Sequence, residues 1–466
     1  MEIPVHILQV LTTQQAWHYG VVPYAEDQGK VQLYADLSRS LEGIAEELEL
    51  LLGKEIELEK VEKEQLQALL GRYYRKPLAA ATSLSKGYNK ADFLDNLLQE
   101  AKDLGSSDIH FEAYEANCRV RFRIDGLLIE RYQLKKEEYP GLINKIKIKA
   151  KLDIAEKRLP QDGRIFYKSG AEKIDIRVST MPTLYGEKAV LRLLGGNATQ
   201  VDIEKLGLSK VEKDRYLQGV RRPNGIILIS GPTGSGKTTT LYSTLKILNE
   251  NSRNIVTIED PIEYTLEGIN QVQLKENIGL DFASAIKTFM RQDPDVIMLG
   301  EIRDLATAQM AIRASLTGHL VLSTIHTNSA WGIIPRLIDM GVPNYLLADT
   351  LNLAVAQRLV RLLCPHCKSY MPCDHAVFPP YFKPPVKLEK LAKANGCEAC
   401  HYSGYKGRMG VFEIIPIDDV FSEQIRKNNL SIQTLLEERS IRTLSNNAFE
   451  LLKTGQTSIK EVYALL

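Results

Sequence analysis

Eight residues from Gly231 to Thr238, GPTGSGKT, have the types and spacing needed to hold a polyphosphate. Glycines at 231, 234 and 236 let successive backbone N–H groups converge without Cβ collisions, and a helix starting here adds its positive N-terminal end. Lys237 would reach the β- and γ-phosphates, and the Thr238 hydroxyl offers a ligand to Mg²⁺. Pro232, Thr233, Ser235 and Thr239 fill out the phosphate-binding stretch. The flanks agree: the apolar run Ile226-Ile227-Leu228-Ile229 precedes the loop, and the helix-patterned Thr239-Thr240-Leu241-Tyr242 follows it. A bound nucleoside triphosphate is what these residues imply.

Three later segments carry the remaining chemistry. IVTIEDPIEY reads as a strand ending in Glu259, Asp260 and Glu263; FMRQDPDVIMLGEIRD contains the strand Val296-Ile297-Met298-Leu299 and ends it at Gly300-Glu301; GHLVLSTIHTNSA is a third apolar strand flanked by His319 and His326. Strands that each deliver polar groups at their C-terminal ends suit a parallel sheet with its ligand beyond that edge. Where an ordinary phosphate-loop protein places an Asp to steady the metal, this chain has Gly300. Mg²⁺ must then lean on Thr238, phosphate oxygens and water, with Glu259, Asp260 and Glu263 acting through water. Glu301 is the candidate to orient or deprotonate the attacking water. His326 is open to two readings, a sensor of the γ-phosphate or a bridge between strand ends.

Cys364-x-x-Cys367 and Cys397-x-x-Cys400 form two pairs whose four thiolates suit a structural zinc ion. His366 and His401 stand beside the pairs, but four thiolates already complete a tetrahedron. Cys118 and Cys373 read as lone thiols.

Around these sites, 466 residues leave room for about three domains of ordinary size. A net charge of +1 supplies no general attraction to nucleic acid, so no nucleic-acid partner is expected. No apolar run approaches the ~18 residues needed to span a bilayer, and the opening MEIPVHILQV lacks a basic leader, so a cytoplasmic protein is expected. Residues 1–78 read as a small acidic α/β module. Its Glu42–Gln65 stretch holds nine Glu and three Lys, with Ile44, Leu48, Leu51 and Leu52 at helix-like spacing. That stretch is either a solvated face on a helical hairpin or a docking surface for a basic partner.

A loop is expected at Pro77–Gly87, then a helix at Ala91–Leu104 and a meander over Ser107–Tyr132 with a tight turn at Asp125-Gly126. Lys145, Lys147, Lys149 and Lys151 interleave with Ile146 and Ile148 on a helix expected to offer a solvated or interdomain face. Strands at Ile174–Ser179 and Ala189–Leu193 carry Arg177 and Arg192. Gly195-Gly196 and Asn197–Asp202 look like a hinge. Beyond Arg408, Asp418–Leu466 is helical in pattern.

In this order the blocks resemble the secretion ATPases that power type II secretion and type IV pilus assembly. The resemblance covers about residues 85–466. It rests on SSDIHFE (106–112), RLPQDGR (158–164), DIRVSTMPTLYGEK (175–188), GPTGSGKT, IEDPIEY, RQDPDVIMLGEIRD, TGHLVLSTIHTNSA, AQRLVRLLCPHC, GCEAC and GYKGRMGVFE. It implies an α/β protein with five parts. These are an N-terminal recruitment module at 1–78, a PAS-like α/β domain at 85–195, a RecA-like ATPase core at 203–358, a four-cysteine zinc subdomain at 359–412 and a C-terminal helical region at 413–466.

The resemblance further implies a homo-hexamer at the cytoplasmic face of the inner membrane, reached through partners. Those partners are a membrane platform protein and the cytoplasmic domain of a recruitment partner. Nucleotide is expected between the 85–195 domain and the core, with Arg177 and Arg192 as arginine fingers and hydrolysis driving rotation between the two. Physics is consistent with that role, because a guanidinium arriving on closure meets the charge that a γ-phosphoryl group spreads over its oxygens. From the sequence alone, each arginine also admits a plain salt bridge on a strand.

Retraction motors of the same superfamily lack the four cysteines, so their presence argues for the assembly direction, and AQRLVRLLC with IDMGV favours secretion over pilus assembly. Residues 1–78 are too short for the cyclic-dinucleotide-binding domain of some members, so that regulation is not expected. A nucleotide-dependent scaffold with little turnover is the competing class, and Glu301 with its arginines favours a motor.

Overall fold

The computed structural model describes residues 3–8, 10–27, 29–36, 43–74, 93–115, 117–169, 172–194, 202–429 and 431–466. The expected loop at Pro77–Gly87 and all of the expected hinge except Asp202 lie outside them. The chain forms two compact units: Met1–Leu194 with Leu363–Met371 and Ala392–Gly407, and Gly195–Leu362 with Pro372–Leu391 and Arg408–Leu466.

The first unit begins with helices α1 (Val5–Leu8) and α2 (Thr13–Tyr19), strands β1 (Val21–Asp27) and β2 (Lys30–Asp36), helix α3 (Ile44–Leu52), strand β3 (Glu55–Val61) and helix α4 (Lys63–Tyr73). β1 pairs antiparallel with β2, and β2 parallel with β3. The acidic stretch is therefore not a helical hairpin. Its middle, Glu55-Ile56-Glu57-Leu58-Glu59, alternates with the period of two that a half-buried strand needs, and Ile56 is buried while Glu55 and Glu57 are exposed. Of the four apolar residues expected on one face, Leu48 is buried whereas Leu51 is 49% exposed.

After helix α5 (Phe93–Asp103) come strands β4 (Asp108–Ala113), β5 (Cys118–Ile124) and β6 (Leu127–Leu134), helix α6 (Tyr139–Lys149), and strands β7 (Gln161–Ser169), β8 (Glu172–Thr183) and β9 (Gly186–Leu194). The six strands form one antiparallel sheet in the order β6-β5-β4-β9-β8-β7. Asp125 and Gly126 both take positive φ, the backbone a two-residue hairpin requires. Inward residues such as Phe111, Phe122, Ile176 and Leu191 share a core with Leu97 of α5 and Ile146 of α6.

The lysine-rich helix departs from expectation. Lys147 is fully buried, paired with Glu187 and donating to the Glu156 carbonyl at 2.7 Å, while Ile148 is 62% exposed. A helix rotates about 100° per residue, so alternate lysines cannot share one wet face. β7, over part of RLPQDGR, was not foreseen as a strand.

The second unit holds helix α7 (Lys210–Val220), strand β10 (Gly225–Ser230), helix α8 (Lys237–Leu248), strands β11 (Ile255–Glu259) and β12 (Asn270–Gln273), helix α9 (Phe282–Phe289), strand β13 (Val296–Leu299), helix α10 (Leu305–Leu316), strand β14 (Leu320–Ile325), helices α11 (Ile333–Asp339) and α12 (Asn344–Thr350), and strand β15 (Leu351–Leu363). Short strands β16 (Ser369–Pro372) and β17 (Lys390–Lys393) pair with each other, β18 (Tyr405–Pro416) follows, and helices α13 (Asp419–Arg426), α14 (Gln433–Glu438), α15 (Leu444–Lys453) and α16 (Ile459–Val462) end the chain.

Seven strands make the main sheet, in the order β12-β11-β13-β14-β10-β15-β18. The pairs from β12 to β15 are all parallel. Within 359–412, the stretches carrying Cys364, Cys367, Cys397 and Cys400 cluster with the first unit, 372–391 clusters with the second, and β18 extends the main sheet. The C-terminal helices likewise share the core of that sheet, with Phe421, Ile425, Phe449 and Leu452 in one buried cluster with Ile297 and Val321.

Candidate active site

Four neighbouring parallel strands, β11, β13, β14 and β10, end at Glu259, Leu299, Ile325 and Ser230. Because they run in one direction, the acidic loop, Glu301, His326 and the Gly231–Thr238 loop all leave the same edge of the sheet. This is the parallel arrangement the three polar-ended segments implied.

Within the loop, Gly231, Gly234 and Gly236 take φ of 151°, 80° and 87°. A Cβ at Gly231 would stand 2.5 Å from the Gln357 carbonyl oxygen and 2.6 Å from Ser235 Oγ. Glycine is needed there for room as well as for its backbone. The buried Ser235 hydroxyl, beside Gly231, makes no hydrogen bond within the protein. Lys237 Nζ donates to the carbonyls of Gly231 at 2.8 Å and Pro232 at 3.1 Å. Burial lowers its pKa, as does the nearby charge of Arg358, against the opposing pull of Glu301. Thr238 lies on the first turn of α8, an oxygen donor of the kind Mg²⁺ prefers.

Glu301 stands between Arg303 and His326. Arg303 donates to its Oε1, and His326 Nε2 lies 3.4 Å from its Oε2. Burial opposes its ionisation, but the Arg303 hydrogen bond and the charges of Arg303, His326 and Lys237 outweigh that, so its pKa sits below the usual carboxylate value. A carboxylate held ionised in this way is a weak proton acceptor and a good hydrogen-bond acceptor, which favours orienting water over deprotonating it.

The acidic trio occupies three different environments. Glu259 is buried and accepts from Tyr242, from Thr257 Oγ1 at 2.6 Å and from Gln271 Nε2 at 3.1 Å. Asp260 is exposed, 3.8 Å from Arg303, and Glu263 is half-buried with its N–H donating to Tyr242 Oη at 3.3 Å. His319 lies at the opposite, amino end of β14, its Nδ1 2.8 Å from the Ala314 carbonyl beside the end of α10.

Arg177 and Arg192 belong to the first unit. They are register partners on β8 and β9, and Arg192 Nε donates to Asp108 Oδ1 at 2.9 Å. Both stand on the polar face of their sheet, opposite the α5–α6 core.

Sulfur atoms of Cys364 and Cys397 are 3.9 Å apart, those of Cys367 and Cys400 3.8 Å, and those of Cys397 and Cys400 3.8 Å. A tetrahedron with metal–sulfur bonds of about 2.3 Å has edges of nearly that length. Backbone N–H groups of Gly396, Cys397 and Gly404 donate to these sulfurs at 3.2–3.3 Å, which stabilises thiolates. Among the described residues this is the one cluster of its kind. Four thiolates fit zinc and leave no position open for catalysis.

The sequence reading assigned no role to Arg303, Tyr242, Gln357 or Arg358. Arg303 had a local signal, two residues from Glu301. Arg358, whose guanidinium donates to the Asn328 carbonyl at 2.9 Å, had none, because the contact joins residues thirty apart.

Comparison with known proteins agrees with this geometry. Residues 86–464 match the family model described as "Type II/IV secretion system protein". The chain is similar to the type II secretion system protein E of Pseudomonas aeruginosa, 46% identical over 372 residues, covering 79% of this chain and 74% of the relative. It is also similar to the type IV pilus assembly ATPase PilB of Myxococcus xanthus, 41% identical over 436 residues, 92% of this chain and 74% of the relative. Among solved structures, the pilus retraction motor PilT with bound ADP matches with a TM-score of 0.55 and 27% identity, over 80% of this chain and 96% of that one. The Legionella pneumophila ATPase DotB matches in fold with a TM-score of 0.61 and 20% identity, over 83% and 97%.

Proposed function

This chain belongs to the type II/IV secretion system protein family and is an ATP-hydrolysing secretion ATPase with a RecA-like core, and we propose that it works as a hexameric ring driving assembly of a pseudopilus in type II secretion. The observation that carries the reading is the shared strand edge bearing the phosphate loop, Glu301 and His326. ATP enters the Gly231–Thr239 loop, and Lys237 exchanges its carbonyl contacts for phosphate oxygens. Thr238 would hold Mg²⁺, which would supply positive charge to the phosphate oxygens, with Glu259, Asp260 and Glu263 supporting it through water. Glu301 orients the water that attacks the γ-phosphorus, and His326 fixes the Glu301 carboxylate.

Arg177 and Arg192 supply positive charge to the transition state, which ties hydrolysis to movement of the part that carries them. Stroke force passes to an inner-membrane platform protein, while residues 1–78 recruit the ring through the cytoplasmic domain of a membrane partner. No helix among the described residues is long and apolar enough to cross a membrane. A pilus-assembly role is the second reading, favoured by the 92% of the chain that aligns with the Myxococcus pilus ATPase.

Mixing Lys237→Ala with Arg177→Ala chains tests the ring. Recovered ATP turnover in mixed assemblies supports arginines supplied by a neighbouring copy. No recovery in assemblies shown to be mixed rejects sites shared between chains.

A further inference from the structure

Glu413 carries a carboxylate that the chemistry above does not use. It is 4% exposed, on β18 at the edge of the main sheet. Its Oε1 accepts from Ala330 N at 2.8 Å, and its Oε2 accepts from Leu444 N at 3.1 Å. Ala330 lies on the loop that begins at His326, and Leu444 opens α15, where a carboxylate satisfies an N–H with no partner inside the helix. One buried side chain thus joins the loop beyond β14 to the C-terminal helices. Burying a carboxylate is costly unless its hydrogen bonds are met, and here the two backbone N–H groups meet them from segments more than a hundred residues apart.

The rest of that loop is held with equal care. Arg358 donates to the Asn328 carbonyl at 2.9 Å, and its charge also faces Glu413. Ser230, the last residue of β10, donates to the Ser329 carbonyl at 3.3 Å. Trp331 Nε1 donates to the Asn429 carbonyl at 3.2 Å, and its ring packs beside Phe421. Every residue from Asn328 to Trp331 is therefore tied down, two of them to the C-terminal region, while His326 at the loop's start reaches Glu301.

We propose that Glu413 is a positioning residue for hydrolysis: it clamps the His326 loop to the start of α15, so the geometry at Glu301 depends on how the C-terminal helical region is seated. The inference rests on the roles given above to Glu301 and His326. Glu413→Gln keeps the shape but puts an amide donor against one of the two N–H groups.

In the full-length chain, thermal unfolding, binding of a fluorescent ATP analogue, and kcat and KM for ATP are measured together. The clamp predicts a kcat lowered about tenfold or more, as displaced catalytic groups produce, with KM and analogue affinity unchanged within about threefold. A folded Glu413→Gln protein with wild-type kcat overturns it. Should that variant fail to fold, Trp331→Phe carries the test, since it removes the indole N–H bonded to the Asn429 carbonyl and keeps an aromatic ring, though a smaller one, beside Phe421. A lowered kcat with faster amide exchange over 327–331 supports the clamp, and an unchanged kcat overturns it. Glu301→Gln runs in parallel: turnover retained there overturns the site assignment itself, whereas turnover retained only in the clamp variants overturns the clamp alone.

Discussion

Arg177 and Arg192 face each other as register partners on adjacent antiparallel strands, so both guanidinium groups leave the same face of the sheet. Like charges directly opposite one another on a sheet are destabilising. Asp108 compensates at Arg192 through a 2.9 Å contact, and under the arginine-finger role proposed above the pair would meet a polyanion.

That cost supplies a discriminating test. Arg177→Gln is expected to leave thermal stability unchanged or slightly raised, by up to about 1 kcal/mol, while ATP turnover falls at least about 100-fold, as loss of an arginine finger does. A plain structural role predicts the reverse pattern, lower stability with turnover preserved. Differential scanning fluorimetry and a steady-state phosphate-release assay read the two together.

Glu301→Gln should bind ATP and fail to hydrolyse it. The pH dependence has a definite sign. The Glu301 pKa is depressed below its ordinary 4.5, so the ionised form, and the stability it contributes, are present above that value and are lost as pH falls through the lower folded-state pKa. Burial is the largest influence and acts upward. Arg303→Met, which removes the strongest opposing influence, should therefore shift the acid limb of the kcat–pH profile to higher pH. An acid limb that stays in place would separate Arg303 from the ionisation of Glu301.

Tyr242→Phe removes the hydroxyl that donates to Glu259 and accepts the Glu263 N–H. Leaving buried polar groups short of a partner costs about 1–3 kcal/mol, readable as a lowered urea midpoint with an unchanged slope. A midpoint equal to wild type would mean that water replaces the hydroxyl.

Zinc should be present at one ion per chain by elemental analysis, and Cys397→Ser or Cys400→Ser should lower that content sharply. Titrating the four thiols with a mercurial reagent should release the metal in step with the thiols modified. Full retention after modification of all four would place the ion elsewhere.

By itself, the amino-acid sequence determined whatever depends on short spacing. The phosphate loop is a local backbone device of glycines followed by a helix, the cysteine pairs are local knuckles, and Asp125-Gly126 is a turn set by two φ angles. For that reason they appear in the fold where they were read, as do the parallel strands that lead into Glu259, Glu301 and His326. Alternating patterns were legible too, except where charge misled. Glu55–Val61 hid a strand inside an acidic helix-like run, and Lys147 lies in the core because Glu187, forty residues away, neutralises it.

Only the tertiary structure decided the long-range pairings. The facing of Arg177 and Arg192, the grip of Tyr242 on Glu259, the contact of His326 with Glu301, and the reach of Glu413 to Ala330 and Leu444 each join separate segments. Periodicity tells which residues turn inward, because burial of apolar surface is a property of each residue's own face. It carries no record of which strand lies beside which, and that neighbourhood is what turns individual carboxylates and guanidiniums into a site.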